Sequence, residues 1–141
     1  MRVIGSYLSP YVRKVLACLE LKGLAYDIDP ITPFMGDDRF TALSPLRRVP
    51  VLVDDRVTLA DSSVICQYLE DRYPVPALYP ADVVDRAHAR WLEEYADSRM
   101  GDVFIWGLYN HAVIEPYVWN KPRDLAAIQR IVAEDIPPVL D

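Results

Sequence analysis

Apolar and polar positions change rhythm along this chain. RVIG (2–5) is a short apolar run of strand length. From Pro10 to about Lys22, Val12, Val15, Leu16 and Leu19 recur at the spacing of one helix face, and Gly23 supplies the stop. AYDIDP (25–30) alternates as a strand does. A polar, irregular stretch follows, with a short helix expected over 37–43. VPVLVD (49–54) and VTLA (57–60) are apolar again, and the acidic turn at Asp54-Asp55 between them predicts a hairpin. DSSVICQYLEDRY (61–73) returns to a helical period, with Ile65, Tyr68 and Leu69 on one side.

PVPALYP (74–80) carries three prolines in seven residues and reads as a linker. Beyond it the pattern is purely helical. Residues 81–109 form one long helix or a broken pair. Residues 122–136 form another, with Pro122 suited to its first turn. Pro137-Pro138 followed by Val139 and Leu140 looks like the opening of a further helix. There is no repeat and no low-complexity segment. The order βαβ–α–ββα implies parallel pairing through crossovers for the first strands and antiparallel pairing for the last two. The expectation is a small mixed sheet covered by helices over 1–73, a linker over 74–84, and a partial all-helical domain over 85–141.

Composition narrows the function classes. The 141 residues are 52% hydrophobic and 26% charged, as in a soluble globular protein. No apolar run approaches the roughly 18 residues of a membrane helix, so no membrane partner is expected. MRVIGSY has no signal-peptide core, which points to the cytoplasm, with Cys18 and Cys66 reduced. The formal net charge of −6 argues against nucleic acid. It also requires any anion site to be local, built from helix N-termini or a few arginines. His88 and His111 belong to no metal-ligand pattern, so no metal is expected.

Three stretches could carry chemistry. Ser9-Pro10 is a favoured helix start. Its hydroxyl either caps the helix or donates to an anion held at the helix N-terminus. A thiol bound there would be stabilised as thiolate: one charged hydrogen bond of about 1.5–3 kcal/mol lowers its pKa by one or two units. Val49-Pro50 is either a strand-opening trans proline or a cis peptide that offers the Val49 backbone to an extended peptide. Asp61-Ser62-Ser63 is a capping signal, or a seat for the α-amino-acid end of a ligand.

S-P-Y-V-R-K-V, then R-R-V-P-V-L, then D-S-S-V-I-C-Q-Y-L, in that order and spacing, resemble the cytosolic glutathione transferases. The linker ending L-Y-P and the W-L-E-E-Y-A-D helix fit the same family. The likeness is most specific over 6–73, and the SPY context is similar to the Ser-type classes, the tau class and bacterial relatives above all. It implies a thioredoxin-like domain with a mixed four-stranded sheet, followed by an all-α domain. It further implies glutathione as co-substrate, a hydrophobic electrophile, a homodimer, and detoxification by transfer to an electrophilic carbon or peroxide.

By the same resemblance Ser9 donates to the glutathione sulfur. Val49 pairs with the cysteinyl unit, Pro50 is cis, and Asp61 and Ser62 hold the γ-glutamyl end. Arg48 is the candidate for the glycine carboxylate, with Arg47 and Arg39 close by in sequence. Tyr7 competes with Ser9 for the sulfur, and the Ser-Pro context favours Ser9. Tyr7 and Tyr11 then line the electrophile pocket, with Arg99, Val103 and Trp106 as candidates from the helical part. Trp91, Tyr95, Val103, Phe104 and Trp106 read mostly as helix packing, and Asp97 as a solvated helix acid. The double-serine-cysteine signature of maleylacetoacetate isomerase-like members is absent. Members of the family continue through several more helices, so the chain looks truncated in its helical domain. A non-catalytic binding or assembly module is the alternative reading.

Overall fold

The computed structural model describes residues 1–31 and 38–141 and, at Arg39, the backbone alone. Most of the irregular stretch expected after Pro30, and the Arg39 side chain, lie outside the described residues. The chain divides into two compact units, Met1–Val83 and Val84–Asp141.

The first unit has β1 (Arg2–Ile4), α1 (Pro10–Leu21), β2 (Asp27–Asp29), α2 (Asp38–Leu43), β3 (Val51–Val53), β4 (Thr58–Ala60) and α3 (Ser62–Arg72). The sheet order is β2-β1-β3-β4. β1 and β2 pair in parallel, and the other two pairs are antiparallel. This is the thioredoxin-like mixed sheet that the resemblance implies. The strands are shorter than the apolar runs, because residues flanking each run are spent on caps and turns.

Local chemistry explains the ends of the elements. Ser9 caps α1, with Pro10 at its first position. The helix stops at Gly23, whose φ is +64°. Gly23 N–H donates to Glu20 O at 3.0 Å and Leu24 N–H to Leu19 O at 3.0 Å. That paired closure needs a residue in the left-handed region, which glycine enters without a Cβ penalty. In the β3–β4 turn, Asp54 Oδ1 accepts from the amides of Arg56 and Val57, both at 2.8 Å. Asp54 Oδ2 accepts from Tyr68 OH at 2.6 Å and from Arg72, which fastens the hairpin to α3. Burial by itself pushes the Asp54 carboxyl up. The bonds from Tyr68 and the two amides, with the Arg72 charge, outweigh it and bring the carboxyl down to about 2.

One apolar core serves this unit. Val3 and Ile4 of β1, Val12, Val15 and Leu19 of α1, Val51 and Leu52 of β3, and Ile65 and Leu69 of α3 are all buried in it. Cys18 and Cys66 are thiols buried in the same core, as small apolar groups.

In the second unit the helix Val83–Tyr95 runs on without a break through a π-helical stretch, Ala96–Ile114, to a last turn at Glu115–Tyr117. Of the two expectations for 81–109, the single long helix is the one observed. The next helix starts at Leu125 and not at Pro122, because Asp124 caps it: its Oδ1 accepts from Ala127 N–H at 2.9 Å. It continues over Ile131–Asp135, and a further turn spans Pro137–Leu140. Val103, Ile131 and Val139 form the core here, with Tyr95, Phe104 and Leu108 packed on them. Tyr95 OH donates to Val139 O at 3.0 Å. Two aromatics expected to pack do not. Trp91 is 63% exposed and Trp106 50%. Trp91 stacks on Tyr95, with ring centroids 5.7 Å apart. No helix among the described residues is long and apolar enough to cross a membrane.

Candidate functional site

The sheet register decides what meets what. Ile4 ends β1 and pairs with Val51, which opens β3. Val51 in turn pairs with Ala60, which ends β4. These three residues form one row across one end of the sheet. Three segments leave that row directly: Gly5–Ser9, Val49-Pro50 and Asp61-Ser62. Stretches far apart in sequence therefore share one end of the first unit.

Gly5 draws two of them together. A Cβ built on it would lie 2.5 Å from Val12 Cγ2 and 3.3 Å from Val49 Cβ, and its φ is +152°. Only a glycine allows the first turn of α1 to approach Val49 this closely. Ser9 is half-buried, and its Oγ accepts from Val12 N–H at 3.4 Å. The Val49-Pro50 peptide is cis, and both residues are buried. The turn before it is closed by Ser44, which is fully buried. Ser44 Oγ donates to Arg48 O at 2.9 Å and accepts from Arg48 N–H at 3.0 Å. A second cis peptide, Val75-Pro76, lies in the segment after α3.

Asp61 caps α3. Its Oδ1 accepts from the amides of Ser63 at 3.0 Å and Val64 at 3.1 Å. Asp61 holds φ at +84°, a conformation that costs a non-glycine residue of order 1–3 kcal/mol. Ser62 beside it is buried. Lys14 of α1 donates through Nζ to Ser63 Oγ at 2.9 Å, joining the first turns of the two helices.

The other expected site residues are more scattered. Arg48 is exposed next to Val49. Arg47 is also exposed and donates to Thr41 Oγ1 at 2.8 Å. Tyr7 is exposed and Tyr11 half-buried, both in the first unit. Arg99 and Val103 lie in the second unit. Arg99 is exposed there, whereas Val103 is buried against Ile131 and Val139. Asp97 is half-buried in the same unit.

Chemically, the row offers two helix N-termini at one sheet end. Each carries the positive end of a helix dipole, which favours an anion. Between them runs a strand entrance able to receive an extended backbone. An α-carboxylate and a thiolate at the two ends of a short peptide fit that layout.

Residues 3–77 match the model of the glutathione S-transferase N-terminal domain family. The chain belongs to that family. Over 101 residues it is 35% identical to the uncharacterized GST-like protein YibF of Escherichia coli (strain K12), covering 71% of this chain and 50% of that protein. It is 37% identical over 90 residues to glutathione S-transferase Z2 of Arabidopsis thaliana, covering 62% of this chain and 40% of that protein. The chain thus spans between 40% and 50% of the length of these two relatives. A crystal structure of a glutathione S-transferase from Rhodospirillum rubrum F11 superposes with a TM-score of 0.87 at 29% identity, covering 94% of this chain and 60% of that one.

Three positions in this family member were not singled out from sequence. Gly5 carried a signal, a glycine directly after an apolar strand. Ser44 stood before a proline, a turn signal that said nothing of its burial. Nothing in the sequence sets Lys14 apart from a solvated helix lysine.

Proposed function

We propose that this chain binds glutathione and stabilises its thiolate for attack on an electrophilic carbon or a peroxide, in the manner of the Ser-type classes. One observation carries the reading: the Ile4–Val51–Ala60 row gathers Ser9, Val49-Pro50 and Asp61-Ser62 at one sheet end. In this reading the tripeptide lies extended along the entrance of β3 and pairs with the Val49 backbone. Its sulfur sits by Ser9 Oγ and the first amides of α1, and its γ-glutamyl end by Asp61 and Ser62 at α3. The Asp61 carboxylate receives the ammonium, and the Ser62 hydroxyl, at the positive end of the α3 dipole, receives the carboxylate. Arg48 is the cation for the glycine carboxylate.

Thiolate formation then follows from electrostatics. The Ser9 hydroxyl and the helix dipole favour the charged sulfur, and no covalent enzyme intermediate is needed. Tyr7 and Tyr11 border the electrophile. The apolar surface open on Val83–Tyr95, with Trp91 and Leu92 exposed, supports association into a homodimer, which sedimentation equilibrium tests.

The decisive experiment compares Ser9→Ala with Tyr7→Phe, following conjugation of an aryl halide and the pH profile of the bound thiol. Ser9→Ala should raise the bound thiol's pKa by about one to two units, the worth of one charged hydrogen bond. Full activity in Ser9→Ala together with an inactive Tyr7→Phe would move the role to Tyr7. A binding module without turnover is the second reading, favoured by the burial of Val103, an expected electrophile-pocket residue, against Ile131 and Val139. Glutathione binding by calorimetry, with no conversion of the halide, would establish it.

A further inference from the structure

Lys22 is a lysine in an unusual place. It closes α1, and its side chain is fully buried. Its ammonium donates to Glu70 Oε2 at 2.6 Å, Tyr73 O at 2.8 Å and Pro76 O at 2.9 Å. Three donors thus meet three acceptors, as a desolvated ammonium requires. Glu70 lies on α3 and is itself engaged beyond the helix. Its Oε1 accepts from the amides of Leu78 at 2.9 Å and Tyr79 at 3.1 Å. Burial pushes the Glu70 carboxyl up, but Lys22 and the two amides more than offset this and hold it below its ordinary value.

Lys22 has a counterpart two turns earlier on its own helix. Lys14 reaches Ser63 at the start of α3. From Lys14 to Lys22 the α1 axis advances about 12 Å, and from Ser63 to Glu70 the α3 axis advances about 10 Å. The two helices therefore run parallel and are joined at both ends of their shared length. Two ties at that spacing fix the crossing angle and the axial slide together, which apolar packing alone leaves softer. The N-terminal ends of the same two helices carry Ser9 and Asp61.

We propose that Lys22 is a positioning residue for the glutathione site: its tie to Glu70 sets the span between the α1 and α3 N-termini, and so the length of ligand that reaches both. This inference rests on the glutathione reading above. Removing the tie lets the helices slide and splay. A ligand that touches only one helix end is indifferent to that. A ligand that must bridge both ends loses the advantage of having its two anchors held at the right separation.

The test uses calorimetric titration of the full chain with glutathione, γ-glutamylcysteine and cysteinylglycine. The first two span both helix ends, and the third lacks the γ-glutamyl anchor. The variant is the double substitution Lys22→Met/Glu70→Gln, which leaves no orphaned buried charge and keeps an acceptor for the Leu78 and Tyr79 amides. It should bind glutathione and γ-glutamylcysteine about tenfold more weakly and cysteinylglycine within about twofold of the wild-type affinity. Should the double variant fail to fold, Lys22→Met alone, which leaves Glu70 with the Leu78 and Tyr79 amides, is titrated with the same three ligands, and the same split in the same direction is expected. A folded variant that binds glutathione within twofold of wild type overturns the inference, as does an equal loss for all three ligands. A wild-type chain that binds none of the three overturns the glutathione reading instead.

Discussion

Replacing Gly5 with alanine adds one methyl group at the most crowded point of the site. The new Cβ would stand 2.5 Å from Val12 Cγ2 and 3.3 Å from Val49 Cβ. Val12 is fully buried, so its side chain has no free space to turn into. The backbone contributes a second penalty, because φ at Gly5 is +152°. A non-glycine residue in such a conformation costs of order 1–3 kcal/mol. Overpacking a tight core by one methyl costs a further 1–3 kcal/mol or so. The sum, roughly 2–6 kcal/mol, is a large part of the 5–15 kcal/mol that holds a typical domain folded. The cheapest relief is for the first turn of α1 to back away from Val49, carrying Ser9 with it. Gly5→Ala should therefore lose both stability and glutathione affinity.

The choice of probe matters here. All three tryptophans, at 91, 106 and 119, lie in the second unit, so a probe inside the first unit is the direct one. Cys18 and Cys66 are buried in the first unit's core, and their reaction with a thiol reagent along a urea titration reads that unit directly. Gly23→Ala is the control: φ there is +64°, and nothing lies within 4 Å of the added Cβ. It should cost about 1 kcal/mol, the backbone penalty without the overlap. A Gly5→Ala loss no larger than that control, with glutathione affinity unchanged, would refute the argument.

Asp61→Asn keeps an oxygen for the Ser63 and Val64 amides and removes the charge. Stability by urea titration should change by less than about 1 kcal/mol, while glutathione affinity falls about tenfold, the worth of one charge-assisted bond. Asp54 makes a prediction in pH. Its folded carboxyl is lowered from 3.8 to about 2, so its contribution is complete above about pH 4 and is lost as pH falls toward 2. At 1.36 kcal/mol per unit this is worth about 2 kcal/mol. The wild type should lose at least that much between pH 4 and 2, measured by urea midpoints, and Asp54→Asn should lose about 2 kcal/mol less over the same interval.

Much of the first unit could be read directly from residue chemistry. Ser9-Pro10, Gly23, the Asp54-Asp55 turn and the Asp61 start are local signals, each satisfied by atoms a few residues away. They place every strand and helix of that unit to within a few residues. What escaped depends on partners distant in sequence. Lys22 reads as a solvated residue at the end of a helix until Glu70, Tyr73 and Pro76 surround it. Asp54 reads as a turn former until Tyr68 and Arg72 arrive from α3. Gly5 shows its purpose only when Val12 and Val49 are both in place. The second unit was harder because its pattern is helical throughout, so periodicity marks faces and not ends. Asp124 outcompetes Pro122 as a start because a side-chain cap satisfies an amide that proline can only omit. Trp91 and Trp106 sit at helical spacing, yet burial depends on a neighbour to cover them, and spacing says nothing of that neighbour.

The three-residue strands have an evolutionary corollary. Because side chains alternate along a strand, losing or gaining one residue between Val53 and Thr58 would turn Leu59 outward and shift Asp61 by about 3.3 Å. That turn works as a ruler. Homologues should vary in length over 80–82, past the segment that Lys22 and Glu70 hold, and hardly at all across Asp54–Val57. A survey of insertions and deletions at these two places would show whether selection has guarded the ruler.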